Sequence, residues 1–462
     1  MMKNKIFSKV GILLAAMVLI NTALQAQVWL NPTNCITVHS GLSTDCYAQK
    51  VKPYKDRWLI GLSKTVGADR YCFTAWRSGD NTVKQGTFDT TMTAIVSDFT
   101  ILNDMVYFCG TDYSQGSYQG FIGRFNIDDL LSSGNNFSYE ITQIYNSEHI
   151  KRIVAYTEGD SPIVTHIIAI STGSYASGVP TFLLCMNDAN NPNFEYGYLY
   201  TNVLGVNEVF DDITFGEKYI HTISRIHPTS NFIVRCFLKA DPLNANYFSY
   251  HAGYSMPNQS AFNISYYAPE FPMHITMLKN GYFAISSSMT DGNDNFFTMV
   301  NVLKEPPYAI LTTHLIPHND KDNSILEMEY SAETDRLLVM NRIHTTQQPI
   351  TMLKLASTPP YTTIMEWITT TKDINHFSIV PEKRYALAGI DASGSNFQSF
   401  SVKDIGYNAN NCFSRQSILI SAFQSLSPMS PPLINSQGVF GANWVNYSSL
   451  KTNNPLYGDC NE

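Results

Sequence analysis

The sequence predicts an all-β protein made of seven copies of one four-stranded unit, on three observations. A short apolar strand pattern returns at 58–63, 106–111, 166–171, 219–224, 282–287, 337–342 and 385–390, with starts 48, 60, 53, 63, 55 and 48 residues apart. Each copy is followed by a turn rich in Gly, Ser, Asn or Pro and then by a β-branched and aromatic run, as at 120–127, 181–187 and 231–238, which together read as a hairpin. Past the first 26 residues no stretch carries the 3.6-residue apolar period of an amphipathic helix.

A third run, polar and alternating, follows at 137–144, 308–316 and 361–368, and a fourth precedes the anchor, clearest at 94–102, 271–278 and 374–380. Four strands of about six residues with their turns fill one repeat. The two middle runs are the most apolar, which fits sheets covered on both faces, while the alternating run fits a solvent-facing rim. A period of this length marks a stacked or radial array in which units bury their faces against neighbours. A β-helix has a much shorter rung and sandwich domains need about 100 residues each, so the period favours blades arranged around an axis.

On these runs the chain resembles the β-propeller superfamily over 50–427, in architecture and without a subfamily mark. It has no Trp-Asp strand end, no kelch-type Gly-Gly doublet and no Asp-box. It is similar to divergent secreted bacterial propellers, a likeness that implies a binding role. The resemblance implies seven four-stranded blades. The alternative is eight, with a composite blade from both termini, because 27–49 and 428–462 together hold about one more repeat and 439–447 reads as strand. Residues 428–432, rich in Pro, mark where the last complete blade stops. The expected organisation is a signal peptide at 1–26, an N-terminal extension at 27–49, a propeller domain at 50–427 and a C-terminal, ring-closing segment at 428–462.

The leader reading rests on Lys3, Lys5 and Lys9 ahead of an apolar run at 10–20, with Ala26 at the last position before cleavage. That run is too short for a spanning helix, and Cys35 lies too far on, after Pro32-Thr33-Asn34, to be a lipid attachment site. The expected location is therefore outside the cytoplasm. Only 15% of residues are charged and the net charge is −8, with no Lys/Arg cluster, a composition that gives no footprint for nucleic acid. Of eight cysteines, Cys35 with Cys46 and Cys412 with Cys460 either staple the termini or stay as thiols, and Cys72, Cys109, Cys185 and Cys236 read as small buried hydrophobes.

Innermost strands of a ring of blades bring distant residues together, so matching positions on them form one candidate site. Eight residues before the anchor start stand Lys50, Asp98, His274 and Glu329; Asp212 precedes its anchor by seven, His376 by nine, and Arg152 takes the place in the third repeat after an insertion at 158–162. Every repeat thus offers a charged or titratable side chain at the axis, either as a ligand-binding ring or as mutual ion pairs filling the channel. Adjacent carboxylates such as Asp211-Asp212 are expected on opposite faces of a strand and hence not to act together.

Other chemistry is thin. His314 and His318 have metal-like spacing but sit in a strand run, and Asp291, Asn293 and Asn295 open like a calcium loop that lacks its glycine and closing glutamate. No metal and no cofactor is expected. Aromatics reach 13%, and loops holding Tyr113, Tyr118 and Tyr175 would present rings for stacking on sugars or on protein. The leading expectation is a secreted, non-enzymatic propeller that binds a carbohydrate or protein ligand at the axial funnel. A glycan-active hydrolase or lyase using Asp98, Asp212, Glu329, His274 and His376 is the alternative, and a structural or assembly role is the third.

Overall fold

The computed structural model describes residues 35–39, 46–64, 71–77, 83–88, 93–114, 116–145, 147–159, 163–172, 181–187, 189–200, 207–227, 231–239, 250–255, 264–265, 273–291, 296–304, 309–318, 324–331, 336–342, 348–354, 364–370, 373–380, 384–390, 400–406, 427–429, 435–452 and 457–459. The leader expected at 1–26 lies outside them. Among the described strands every pairing is antiparallel, and no helix there is long and apolar enough to cross a membrane.

After β1 (Cys35–His39), the first unit is β2 (Cys46–Tyr54), β3 (Arg57–Lys64), β4 (Tyr71–Arg77) and β5 (Val83–Thr87). The second is β6 (Ala94–Leu102), β7 (Met105–Asp112), β8 (Gln119–Asn126) and β9 (Asn136–Gln143). Between β8 and β9 lies the short helix α1 (Ile127–Leu131), capped by Asn126, whose side chain accepts the Asp128 N–H at 2.9 Å. The third unit is β10 (His149–Glu158), β11 (Val164–Thr172), β12 (Thr181–Asn187) and β13 (Asn193–Tyr200), and the fourth is β14 (Asn207–Phe215), β15 (Tyr219–His227), β16 (Asn231–Leu238) and β17 (Tyr250–Ser255).

In the fifth unit the first strand is broken into β18 (Ile264–Ser265) and β19 (His274–Met277), both paired to β20 (Tyr282–Asp291), which is followed by β21 (Phe296–Lys304) and β22 (Ala309–His318). The sixth unit is β23 (Ser324–Ser331), β24 (Arg336–Arg342), β25 (Gln348–Lys354) and β26 (Ile364–Thr370). The seventh has three strands in sequence, β27 (Asp373–Val380), β28 (Arg384–Ile390) and β29 (Phe400–Gly406), and β1 supplies its fourth by pairing with β29.

The recurring apolar pattern is the second strand of each unit, and its burial explains its composition. In β7 all but Met105 are buried, and in β11 only the two end residues are not. Outer strand β9 alternates, with Phe137, Tyr139 and Ile141 inward and Asn136, Ser138 and Gln143 exposed. Apolar clusters join unit to unit: Leu59, Phe73, Phe99 and Phe108 between the first and second, Cys109, Ile122, Ile167 and Phe182 between the second and third. Ile168, Leu183, Phe210 and Ile220 lie between the third and fourth, Ile223, Phe232, Met273 and Phe283 between the fourth and fifth, and Val300, Val302, Leu337 and Val339 between the fifth and sixth. Each such side chain stabilises the fold by about 1.5–3 kcal/mol on burial.

First strands also follow one another in space. β2 lies against β6, β6 against β10, β10 against β14, β14 against β19, β19 against β23, β23 against β27, and β27 against β2.

Past the seventh unit the chain continues as β30 (Ser427–Met429), β31 (Asn435–Asn443), β32 (Val445–Thr452) and β33 (Tyr457–Asp459). These terminal strands form no sheet of their own among the described residues: β30 extends β17, β31 extends β13, β32 bridges β9 and β5, and β33 adds to β1. The reason is hydrogen-bond accounting. Each unit leaves an outer edge of unpaired backbone groups, and the nearest free strands are those of the chain ends.

Candidate functional site

Six of the seven first strands share one irregularity. Pairing to the second strand slips by one residue, leaving Gln49, Ser97, Lys151, Asp211, Leu326 and Asn375 as the extra residue of a β-bulge. The residue after each bulge is Lys50, Asp98, Arg152, Asp212, Glu327 and His376, opposite Gly61, Cys109, Ile170, Ile223, Met340 and Ala388. In the fifth unit, where the strand is interrupted, His274 opposite Ser286 holds the same station. Five of the seven residues expected from sequence stand in this tier with described side chains, and His376 stands there by register, its side chain outside the described residues.

Glu329 does not share that station. The β23–β24 turn closes between Ser331 and Arg336, two residues longer than the Leu102–Met105 turn of the second unit, so the register puts Glu327 after the bulge and Glu329 two residues further along the strand. Glu327 could have been found by counting back from the turn rather than from the apolar anchor.

The tier is a chain of opposite charges. Lys50 is paired with Asp98, Arg152 with Glu327 at 3.0 Å and with Asp212 at 3.5 Å, and Asp212 with His274 at 3.3 Å. Nδ1 of His274 stands 3.3 Å from both Arg152 Nη2 and Asp212 Oδ2, so it accepts from the guanidinium in one tautomer and donates to the carboxylate in the other. Lys50, Asp98, Asp212 and His274 are buried. Burial alone would lower the Lys50 ammonium, but Asp98 and then Glu327 outweigh it and raise its pKa above the ordinary value. Burial likewise opposes ionisation of Asp212, yet Arg152 and the hydrogen bond from His274 hold it below the usual carboxylate range.

Backbone bonds fix the carboxylates further. Asp98 Oδ1 accepts the N–H of Phe99 at 2.8 Å and Oδ2 that of Ile153 in the third unit at 3.0 Å. The adjacent pair Asp211 and Asp212, expected on opposite faces, instead serves one neighbour: Asp211 accepts the N–H of Met273 and Asp212 that of Ile275, each at 3.1 Å. The bulge at Asp211 breaks the alternation. Asp211 is also held bidentate by Arg225, with Lys151 at 3.9 Å.

Two residues further along each first strand lies a second tier: Lys52, Thr100, Val154, Thr214, Thr276, Glu329 and, by register, Ser378. Lys52, Thr100, Val154, Thr214, Thr276 and Glu329 are half-buried, so solvent reaches this tier where it is largely kept from the first. Burial, reinforced by Lys50, lowers the Lys52 ammonium despite the field of Glu329.

No family model matches the chain, and no curated protein does. Among solved structures, the crystal structure of the polysaccharide lyase Uly1 is similar over 78% of this chain and 90% of that one, with a TM-score of 0.38 and 8% identity. A likeness at that level transfers neither fold nor activity.

Elsewhere, Cys109, Cys185 and Cys236 are buried thiols. Cys412 and Cys460, with the side chains of Cys35, Cys46 and Cys72, lie outside the described residues, as do Tyr175, Asn293, Asn295 and the side chains of His314 and His318. Among the described residues no three His, Cys, Asp or Glu side chains gather as a metal site would. Tyr113 and Tyr118 pack edge to face at 4.8 Å, with Tyr118 exposed.

Proposed function

We propose that this chain is a secreted seven-bladed β-propeller that acts as a binding module, taking a hydroxyl-rich ligand such as a carbohydrate at the axial mouth formed by the second tier. The blade count is supported by seven units, the first two joined in one sheet through β32, whose first strands follow one another back to β2, and by β1 adding the fourth strand of the last unit. Closure by an N-terminal strand explains why the repeat need not be contiguous in sequence.

One observation carries the functional reading: the first-tier charges are spent on each other. Lys50, Asp98, Arg152, Asp212, His274 and Glu327 interlock, and all but the half-buried Arg152 are buried, whereas an acid or base in catalysis must exchange its proton with a substrate. That arrangement favours a binder over the hydrolase or lyase alternative. The second tier offers three threonine hydroxyls, the Lys52 ammonium and the Glu329 carboxylate whose field acts on it. Hydroxyls pair with sugar hydroxyls, and Lys52 suits a carboxylate on the ligand.

The test is a thermal-shift panel of neutral and uronate-containing oligosaccharides, followed by product analysis on any hit. A ligand at a hundredfold its Kd stabilises by about 2.7 kcal/mol, and no product should form. Lys52→Met should weaken an acidic ligand at least tenfold, and Thr214→Val with Thr276→Val should weaken neutral and acidic ligands alike. Turnover that vanishes in His274→Ala would sink the binder reading; binding untouched by all three variants would sink the axial site.

A further inference from the structure

The C-terminal segment crosses the outer rim against the order of the units. β30 joins the fourth unit, β31 the third, β32 the second and first, and β33 the seventh through β1. Its middle part, 435–452, is seated in the manner of a bound peptide. β31 pairs with β13 from Asn443 opposite Asn193 to Asn435 opposite Tyr200, and β32 pairs with β9 from Val445 opposite Ile141 to Leu450 opposite Asn136, before Lys451 and Thr452 reach Gly86 and Gln85 of β5.

Side chains on one side of this segment pack onto the sheets, Phe440 and Trp444 on the apolar cluster between the second and third units and Tyr447 on that between the first and second. Phe440 stacks on Tyr196 with centroids 5.5 Å apart, and Tyr447 stacks on Tyr139 at 5.5 Å with the rings 11° from parallel. Between them Trp444 is buried where β31 gives way to β32. Its ring lies 4.9 Å from that of Phe194, the Arg124 guanidinium stands 4.6 Å over its centre, and its Nε1 donates to the carbonyl of Ala189 at 3.1 Å. Arg124 is itself held by Glu140 and by the same Ala189 carbonyl, so the slot is braced on three sides. Lys451 closes the far end, with Nζ donating to Ser132 Oγ at 2.7 Å and to the carbonyl of Asp129. The intervening Gly441, Asn443, Val445 and Ser448 face solvent.

Main-chain bonds to an open sheet edge with pockets for alternate side chains are the signature of strand addition, and a buried Trp in a desolvated slot is the usual energetic centre of such a site. We propose that the outer edges of β5, β9 and β13, with the Arg124–Phe194–Ala189 slot, form a peptide-binding site for an extended segment carrying aromatic residues four and then three apart, and that residues 435–452 of the same chain are its resident ligand. The segment thereby ties the first three units together from outside by docking.

Labelled peptide 435–452 is titrated into the full chain and into the full chain carrying Trp444→Ala and Tyr447→Ala. The parent site is filled in cis, so the peptide should bind the double variant at least tenfold more tightly than the parent, and a peptide with Trp444→Ala should lose at least tenfold. Equal binding to parent and variant, or no loss with the altered peptide, would overturn the proposal. A protease site placed at 430–434 gives a second reading on the parent chain. After cleavage the C-terminal fragment should co-elute with the body and be displaced by excess peptide 435–462; immediate separation from a body with an unchanged melting temperature would overturn it as well.

Discussion

Asp98 and Asp212 hold the same station in different sheets and make the same bonds. In each, one carboxylate oxygen accepts the N–H of the next residue, Phe99 at 2.8 Å or Ile213 at 2.9 Å, and the other accepts the N–H of an isoleucine in the following unit, Ile153 at 3.0 Å or Ile275 at 3.1 Å. The bulge turns the carboxylate toward the neighbour, and a cation beside it, Lys50 or Arg152, balances its charge. A recurring backbone defect thus becomes a recurring clip between sheets.

Replacing either clip should therefore cost far more than replacing an exposed carboxylate. Asp98→Asn leaves Lys50 buried beside an uncharged amide, and Asp212→Asn removes a partner from both Arg152 and His274. Each should destabilise by about 3–5 kcal/mol, the usual cost of orphaning a buried charge. Asp104→Asn, on the half-exposed pair with Lys55, should cost under about 1 kcal/mol. Urea midpoints of the three variants decide it, and similar midpoints would remove the clip from the account of stability.

How far this tier was legible in the sequence depends on what marks it. The apolar second strands are visible because burial on both faces demands consecutive apolar residues, and counting back from them reaches six of the seven stations. The bulge leaves no such mark: Gln49, Ser97, Lys151, Asp211, Leu326 and Asn375 share no side-chain property, because the bulge is a slip in hydrogen bonding and not a residue preference. For that reason Asp211 and Asp212 read as opposed when they face one neighbour, and a turn two residues longer moved Glu329 out of the tier in favour of Glu327. Strand character at 439–447 was visible too, but which edge such a segment joins is a long-range matter that local pattern does not encode.

A second buried pair tests whether ionic contacts here stabilise or merely persist. Arg235 is bidentate to Glu208 at 2.8 and 2.6 Å, both side chains are fully buried, and Ser224 Oγ donates to the same carboxylate at 2.5 Å. Arg235→Met strands the carboxylate and should cost about 3–5 kcal/mol, while the double change Arg235→Met with Glu208→Met should cost less than half of that, because two apolar chains replace two desolvated charges. Chemical denaturation of the two variants provides the comparison. Additive losses would mean the pair is not acting as a unit.

Close packing of the second strand against the first can be probed at Gly110. A Cβ there would lie 1.8 Å from the carbonyl oxygen of Ile95, a backbone atom with no freedom to withdraw, whereas one at Gly441 would meet nothing within 4 Å. Gly110→Ala should destabilise by about 3 kcal/mol or more through forced strand separation, and Gly441→Ala should stay within about 0.5 kcal/mol of the parent. Melting temperatures measured side by side check this, and a neutral Gly110→Ala would mean the strands can part without loss.

His149 at the head of β10 should give the fold an acid-sensitive component. Burial, with Lys151 close by, pushes its pKa down to about 4 from an ordinary 6.5, and its Nδ1 is engaged by the Thr111 hydroxyl. The folded state therefore keeps the imidazole neutral while the unfolded chain takes up a proton below pH 6.5. Between about pH 6.5 and 4 the unfolded state binds more protons, so stability contributed by this site is full above 6.5 and falls as pH drops through that window, by up to about 3 kcal/mol. His149→Gln, which keeps a polar group but cannot ionise, should flatten that part of the profile. Urea midpoints at pH 7.5, 5.5 and 4.5 for both proteins give the measurement: a parent and variant with parallel slopes would assign the acid response to other groups.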